Sequence, residues 1–168
     1  ARSRPGRGSC FALSVPLTDE APAARPAPTA AASRIEGAFV VVVDDDREVL
    51  DGMHRLLSLW GCHSVLAASG VQALAALSGH ERIPDLIVCD YELANRETAD
   101  DVVRRIHQEI WPDIPVLVIT ATGLAADLGG RTKSGYRLLR KPLAPEALRT
   151  AMEEALAPPS AATATTSI

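Results

Sequence analysis

The chain has 168 residues, enough for one domain with flanking segments, and is 47% hydrophobic but only 4% aromatic, so Val, Leu, Ile and Ala must build its core. Its net charge of −4 divides unevenly: residues 1–36 carry five Arg against three acids, and residues 37–168 carry twelve basic residues against eighteen acids. An acidic main segment argues against nucleic-acid binding, which needs clustered Lys and Arg. The longest apolar run, Ala38 to Val43, is far short of the roughly twenty residues of a membrane span, so no membrane contact is expected of this fragment.

Cys10 to Leu17 is too broken by polar residues and Pro16 to be the apolar core of a signal peptide. Thr18 to Ser33 is Pro/Ala-rich with little to bury, and residues 18–37 read as a semi-rigid linker. Phe39 to Asp44 (FVVVVD) is a predicted strand, followed by a helix over 47–60 with Val49, Leu50, Met53, Leu56, Leu57 and Trp60 at helical spacing and Gly61 as its stop. His63 to Ala67 is a weaker second strand, and Ser69 is a candidate cap for a helix carrying Val71, Leu74, Ala75 and Leu77. Leu86 to Asp90 (LIVCD) is the third strand. A polar loop leads to a helix near 98–111, with Val102, Val103, Ile106 and Ile110 on one face. Pro115 opens a fourth strand, Val116 to Thr120; residues 123–134 are Gly-rich and at best a weak helix. Tyr136 to Arg140 is a short fifth strand, and Pro145 starts a last helix ending near Leu156. Pro158 to Ile168 is small, polar and expected to be disordered.

Strands that are Val/Ile-rich without alternation are those buried on both faces, and alternating strands and helices imply a parallel α/β sheet with few allowed topologies. The carboxyl ends of such strands are where ligands bind. Here they carry Asp44-Asp45-Asp46 and Asp90. Three carboxylates gathered there would repel by about 3 kcal/mol per pair at ~5 Å and an effective dielectric of ~20. A divalent cation offsets that cost, and hard oxygen ligands suit Mg²⁺. The chemistry that follows is metal-assisted phosphoryl transfer.

The motifs VVVVDDD at 40–46, DLIVCD at 85–90, PVLVITA at 115–121 and LLRKPL at 138–143 resemble the receiver domain of two-component response regulators over about residues 38–157. The resemblance implies a flavodoxin-like, doubly wound five-stranded parallel sheet of order 2-1-3-4-5 with five helices. It implies Asp90 as the phosphoacceptor, and Mg²⁺ held by Asp45, by Asp44 through water, by Asp90, and by the backbone carbonyl of Glu92. Thr120 would hydrogen-bond the phosphoryl group, Lys141 would pair with it, and the Lys141–Pro142 peptide would be cis. Ala121 is small enough to leave the site open, and Glu92 and Thr122 would tune the lifetime of the acyl phosphate. The chain departs from the family in the loop Tyr91 to Ala99, which lacks the usual Met-Pro pair. It departs again at Leu138, where an aromatic is usual three residues before the lysine; Tyr136 stands five before.

Gly6 to Leu17 (GRGSCFALSVPL) resembles the closing segment of a histidine-kinase ATP-binding domain, so residues 1–17 are expected to be its tail end in a hybrid histidine kinase. The start at Ala1 fits a fragment, and with only a tail after residue 157 the expected output is phosphorelay or control of an attached kinase. The nucleotide-binding boxes are absent, so ATP binding is not expected of this piece. The expected partners are a histidine kinase core or a histidine phosphotransfer protein. Three cysteines without metal-type spacing point to a reducing, cytoplasmic setting.

Other residues have plainer readings. Asp46 is expected to be a solvated loop or helix-cap residue, Cys89 to fill a strand, and His54, His63, His80 and His107 to be surface or packing residues. Asp100, Asp101, Arg104 and Arg105 are expected to form a solvated helix face, or one that meets a partner. Two rival functions remain: a haloacid-dehalogenase-type phosphatase, which also follows a nucleophilic Asp with an acid two residues on, and a pseudo-receiver that only binds partners.

Overall fold

The computed structural model describes residues 2–4, 8–10, 34–121, 131–132 and 134–157. The chain divides into two units, Ala1–Ala31 and Ala32–Ile168. In the first, strands Arg2–Arg4 and Gly8–Cys10 pair antiparallel, Arg2 opposite Cys10. The rest of the expected kinase-like segment, the linker over 18–33, Thr122 and the tail lie outside the described residues.

Over its described residues the second unit alternates strand and helix, except between its fourth and fifth strands. Its elements are β1 (Phe39–Val43), α1 (Arg47–Leu59), β2 (His63–Ala67), α2 (Gly70–Leu77), β3 (Leu86–Asp90), a single 3₁₀ turn (Ala94–Arg96), α3 (Ala99–Glu109), β4 (Val116–Thr120), β5 (Arg137–Arg140) and α4 (Pro145–Ala155). The five strands are parallel in the order β2-β1-β3-β4-β5, the flavodoxin-like 2-1-3-4-5 arrangement. Four α-helices stand among the described residues where five were expected. The weak helix over 123–134 falls largely on residues 122–130, which are not described.

The apolar runs form strands because both faces of the sheet are covered. All five residues of β1 are buried. Phe39, Val41 and Val43 face a core with Ile87, Cys89, Val102, Val103 and Ile106, under α2 and α3. Val40 and Val42 face a second core with Val88, Leu117, Leu57 and Leu148, under α1 and α4. Period-2 alternation thus exists, but between two apolar sides, which is why the sequence shows none.

The helix ends are set by local chemistry. Asp46 caps α1, its side chain accepting from the Glu48 N–H at 2.8 Å, the second of the two roles its plain reading left open. The same helix stops at Gly61 (φ +77°), where Gly61 N–H donates to Ser58 O and Cys62 N–H to Leu57 O, both at 3.0 Å: a Schellman motif that needs a left-handed residue. Ser69 caps α2. Thr98 and Asp101 form a reciprocal capping box on α3.

At the amino edge of the sheet, Asp85 Oδ2 accepts from the Phe39 N–H at 2.7 Å and pairs with Arg82 at 2.5 Å. At the β5 edge, Leu138 and Leu139 are buried between exposed Arg137 and Arg140. Arg137 pairs with Glu154 of α4 and forms a lone antiparallel bridge with Arg131. Tyr136 and Leu138 join the same core, and Tyr136 meets His107 edge-on at 6.1 Å.

Candidate functional site

Sheet geometry brings the sequence-predicted acids together. Asp44 follows the last residue of β1, still tied to the sheet by its N–H to Ala67 O at 3.1 Å, and is 3% exposed. Its Oδ1 accepts from the Asp46 N–H at 2.9 Å, so the turn into α1 folds around it. Asp45, next in chain, is exposed, and Asp90 ends β3 half-buried. Because β1 and β3 are neighbours, Asp44, Asp45 and Asp90 each offer a carboxylate oxygen within 4.8 Å of the others.

Lys141 reaches them from just beyond β5. Its Nζ lies 2.8 Å from Asp90 Oδ1 and 3.3 Å from Asp44 Oδ2. The Lys141 N–H donates to Thr120 O at 2.8 Å, which fixes where the side chain starts, and the Lys141–Pro142 peptide is cis. Thr120 ends β4 at 3% exposure. Asp90, Glu92, Thr120, Ala121 and Lys141 line one cleft of about 100 Å³.

Electrostatics follow from this crowding. Burial pushes the Asp44 carboxyl above its ordinary value, with the Asp46 N–H and the Lys141 ammonium pulling the other way without prevailing. For Lys141, burial is the largest single influence and favours the neutral amine. Its bonds to Asp90 and Asp44 together outweigh that, and its value is raised. Beside the site, burial pushes the Cys89 thiol far up, so it stays protonated and unreactive, filling the strand.

Three carboxylates share one ammonium among the described residues, leaving two excess negative charges in a pocket of hard oxygen donors. That donor set and charge fit a divalent cation such as Mg²⁺.

Glu92 lies in the loop leaving β3, opposite Thr98 in a single antiparallel bridge, with Leu93 N–H to Glu97 O and Ala99 N–H to Tyr91 O, both at 3.0 Å. The loop is therefore a short closed hairpin, although it has no Met-Pro pair. Sequence reasoning missed Glu97, whose side chain links this loop to α2. An acid in a polar loop gives no sign of a partner 27 residues away.

Residues 40–153 match the profile of a family described as the response regulator receiver domain. The transcriptional regulatory protein ZraR of Klebsiella oxytoca is 34% identical over 119 residues, 70% of this chain and 26% of that protein. Response regulator MprA of Mycobacterium sp. (strain KMS) is 32% identical over 118 residues, 70% of this chain and 50% of MprA. The chain thus spans a quarter to a half of the length of these curated relatives. Among solved structures, a response regulator receiver domain protein from Clostridium thermocellum superposes with a TM-score of 0.62 at 25% identity, covering 71% of this chain and 94% of that one. NtrX from Brucella abortus superposes with a TM-score of 0.62 at 27% identity, covering 71% of this chain and 27% of NtrX.

Proposed function

The chain belongs to the response regulator receiver domain family, and from that premise we propose that residues 38–157 accept a phosphoryl group from a phosphohistidine onto Asp90. The observation that carries the reading is the convergence of three carboxylates from two neighbouring strands with the Lys141 ammonium 2.8 Å from Asp90.

A carboxylate attacks a phosphoryl group poorly because both are negative, so catalysis is mainly positioning and neutralisation. Asp45, Asp90 and the Glu92 carbonyl, with Asp44 helping through water, would hold Mg²⁺, which when bound would neutralise charge on the carboxylates and the incoming phosphoryl oxygens. Asp90 supplies the attacking oxygen: its bond to phosphorus forms as the P–N bond of the phosphohistidine breaks, and the electron pair returns to the imidazole. Lys141, raised in pKa and thus held as ammonium, follows the negative charge from the Asp90 oxygen to the transferred group. Thr120 donates its hydroxyl hydrogen to a phosphoryl oxygen. Hydrolysis or onward transfer then returns Asp90 to a carboxylate.

The donor is a histidine kinase core or a histidine phosphotransfer protein, and the setting is cytoplasmic; no described helix is long and apolar enough to cross a membrane. The Gly6 to Leu17 pattern favours attachment to a histidine kinase, with residues 1–17 closing its ATP-binding domain and 18–37 linking it to the receiver. The names of the relatives, a transcriptional regulatory protein and a response regulator, favour instead a regulator whose receiver controls an output domain. The binding-only reading draws on the unusual loop and Leu138.

One experiment separates these functions. The chain is incubated with acetyl phosphate and Mg²⁺, its intact mass is measured, and Asp90→Asn is run beside it. One phosphoryl adduct, absent from the variant, is expected; no adduct leaves the binding-only reading, and sustained turnover of small phosphate esters leaves the phosphatase.

A further inference from the structure

One set of contacts beside the acceptor site has no part in the scheme above. Glu97 stands at the end of the hairpin that leaves Asp90, with its side chain 15% exposed. Its Oε2 accepts from the N–H of Gly70, the first residue of α2, at 3.1 Å, and its Oε1 from Arg105 Nη1 on α3 at 3.2 Å. Its backbone closes the hairpin, Leu93 N–H donating to Glu97 O at 3.0 Å and Glu97 N–H to Ala94 O at 3.3 Å. Glu92, opposite Thr98, is one rung away.

Gly70 is shaped to this partner. Its φ is not positive, so conformation does not require glycine; space does. A Cβ there would lie 3.0 Å from Glu97 Oε1 and 3.2 Å from Val102 Cγ2. Within the same hairpin Arg96 holds φ 62°, a left-handed conformation that a residue with a Cβ keeps only where its surroundings hold it.

We infer that Glu97 is a positioning residue for the acceptor site: by tying the hairpin to the first turn of α2, it fixes the Glu92 carbonyl beside Asp90. This rests on the reading of that carbonyl as a Mg²⁺ ligand. A carboxylate at a helix N-terminus with an arginine nearby is otherwise ordinary surface chemistry of little consequence. The distinction lies in whether the pair acts on metal binding.

Glu97→Ala, Glu97→Gln and Gly70→Ala test this in the full chain by three readouts: Mg²⁺ titration calorimetry, amide hydrogen exchange without metal, and thermal unfolding in EDTA. Removing an outer partner of a metal site commonly weakens affinity by ten- to a hundredfold, so Glu97→Ala is expected to raise the Mg²⁺ Kd about tenfold. Exchange at the Leu93 and Ala99 amides should quicken. Glu97→Gln falls between, since its amide oxygen still accepts from Gly70. Gly70→Ala should weaken Mg²⁺ binding although alanine is the better helix former. It also decides the matter should Glu97→Ala unfold, because it keeps every polar partner. Unchanged Mg²⁺ affinity in folded variants overturns the inference, even with a lowered melting temperature, because Glu97 is then a structural contact only. A wild-type chain that binds no Mg²⁺ overturns the reading of the site and this inference with it.

Discussion

Replacing Asp45 by Asn tests the charge balance of the acceptor site most directly. Asn keeps the shape, so the change is electrostatic. The Asp45 carboxylate has oxygens within 4.8 Å of those of Asp44 and of Asp90. At that separation each repulsion is about 3.5 kcal/mol at an effective dielectric of ~20 and about 0.9 kcal/mol at ~80. Asp45 is exposed, so the watery end applies, and removing its charge should stabilise the metal-free chain by about 1–2 kcal/mol over the two pairs. Mg²⁺ reverses the ranking. At a concentration about a hundred times its Kd, mass action adds about 2.7 kcal/mol to the wild type, and only about 0.4 kcal/mol to a variant whose lost ligand weakens binding about a hundredfold. Urea unfolding followed by tryptophan fluorescence, in EDTA and across a Mg²⁺ series, should show the two stabilities crossing. Added monovalent salt should shrink the gain in EDTA. The reasoning fails if Asp45→Asn is the less stable protein in EDTA, or gains as much from Mg²⁺ as the wild type.

Asp44 gives a pH signature in EDTA. Its carboxyl is raised above 3.8 in the fold, so the folded chain binds this proton more tightly than the unfolded chain. Its stabilising contribution is full below 3.8 and is lost as pH rises through the folded value. Asp44→Asn should therefore gain on the wild type as pH climbs through that window; a constant difference in urea midpoint refutes it. Gly61→Ala forces a Cβ into φ +77° with Glu36 Cγ 3.2 Å away, and should cost about 1–2 kcal/mol in urea unfolding; no loss would mean the Schellman turn relaxes freely. Thr98→Ala breaks the capping box on α3, at a cost of about 0.5–2 kcal/mol in the same assay, unless water caps the helix as well as threonine does.

The strands were legible because burial on both faces leaves a signature no surface segment shares: Phe39 to Val43 and Leu86 to Cys89 are apolar without a break. Helix limits were legible where one residue sets them, as Asp46, Ser69, Gly61 and Pro145 do. The site was legible for a different reason. The family resemblance supplied the strand order, and in that order the residues after neighbouring β1 and β3 must meet, as Asp44 and Asp90 do, while Lys141 reaches Asp44 from beyond β5, 97 residues away. The hairpin after Asp90 was not legible, since its path depends on Gly70 lacking a side chain and on Glu97 reaching it. The hydrogen bond from the Phe39 N–H to Asp85 was hidden likewise, since a lone acid before a strand carries no sign of a partner 46 residues back. Tyr136 sharing a core with Leu138 also needed the structure, because position relative to the lysine says nothing of which side chains fill one space.

The charged ends of β5 bear on how the protein behaves in bulk solution. A peripheral strand offers unsatisfied amides and carbonyls to any passing chain, although Leu138 and Leu139 keep their own side chains in the two cores. Arg137 and Arg140 bracket those leucines, and Arg131 already occupies the outer rim at Arg137. Turning both bracketing arginines into apolar residues should leave the chain folded yet lower the concentration at which it begins to scatter light. The arginines thereby bear on shelf life and sample handling.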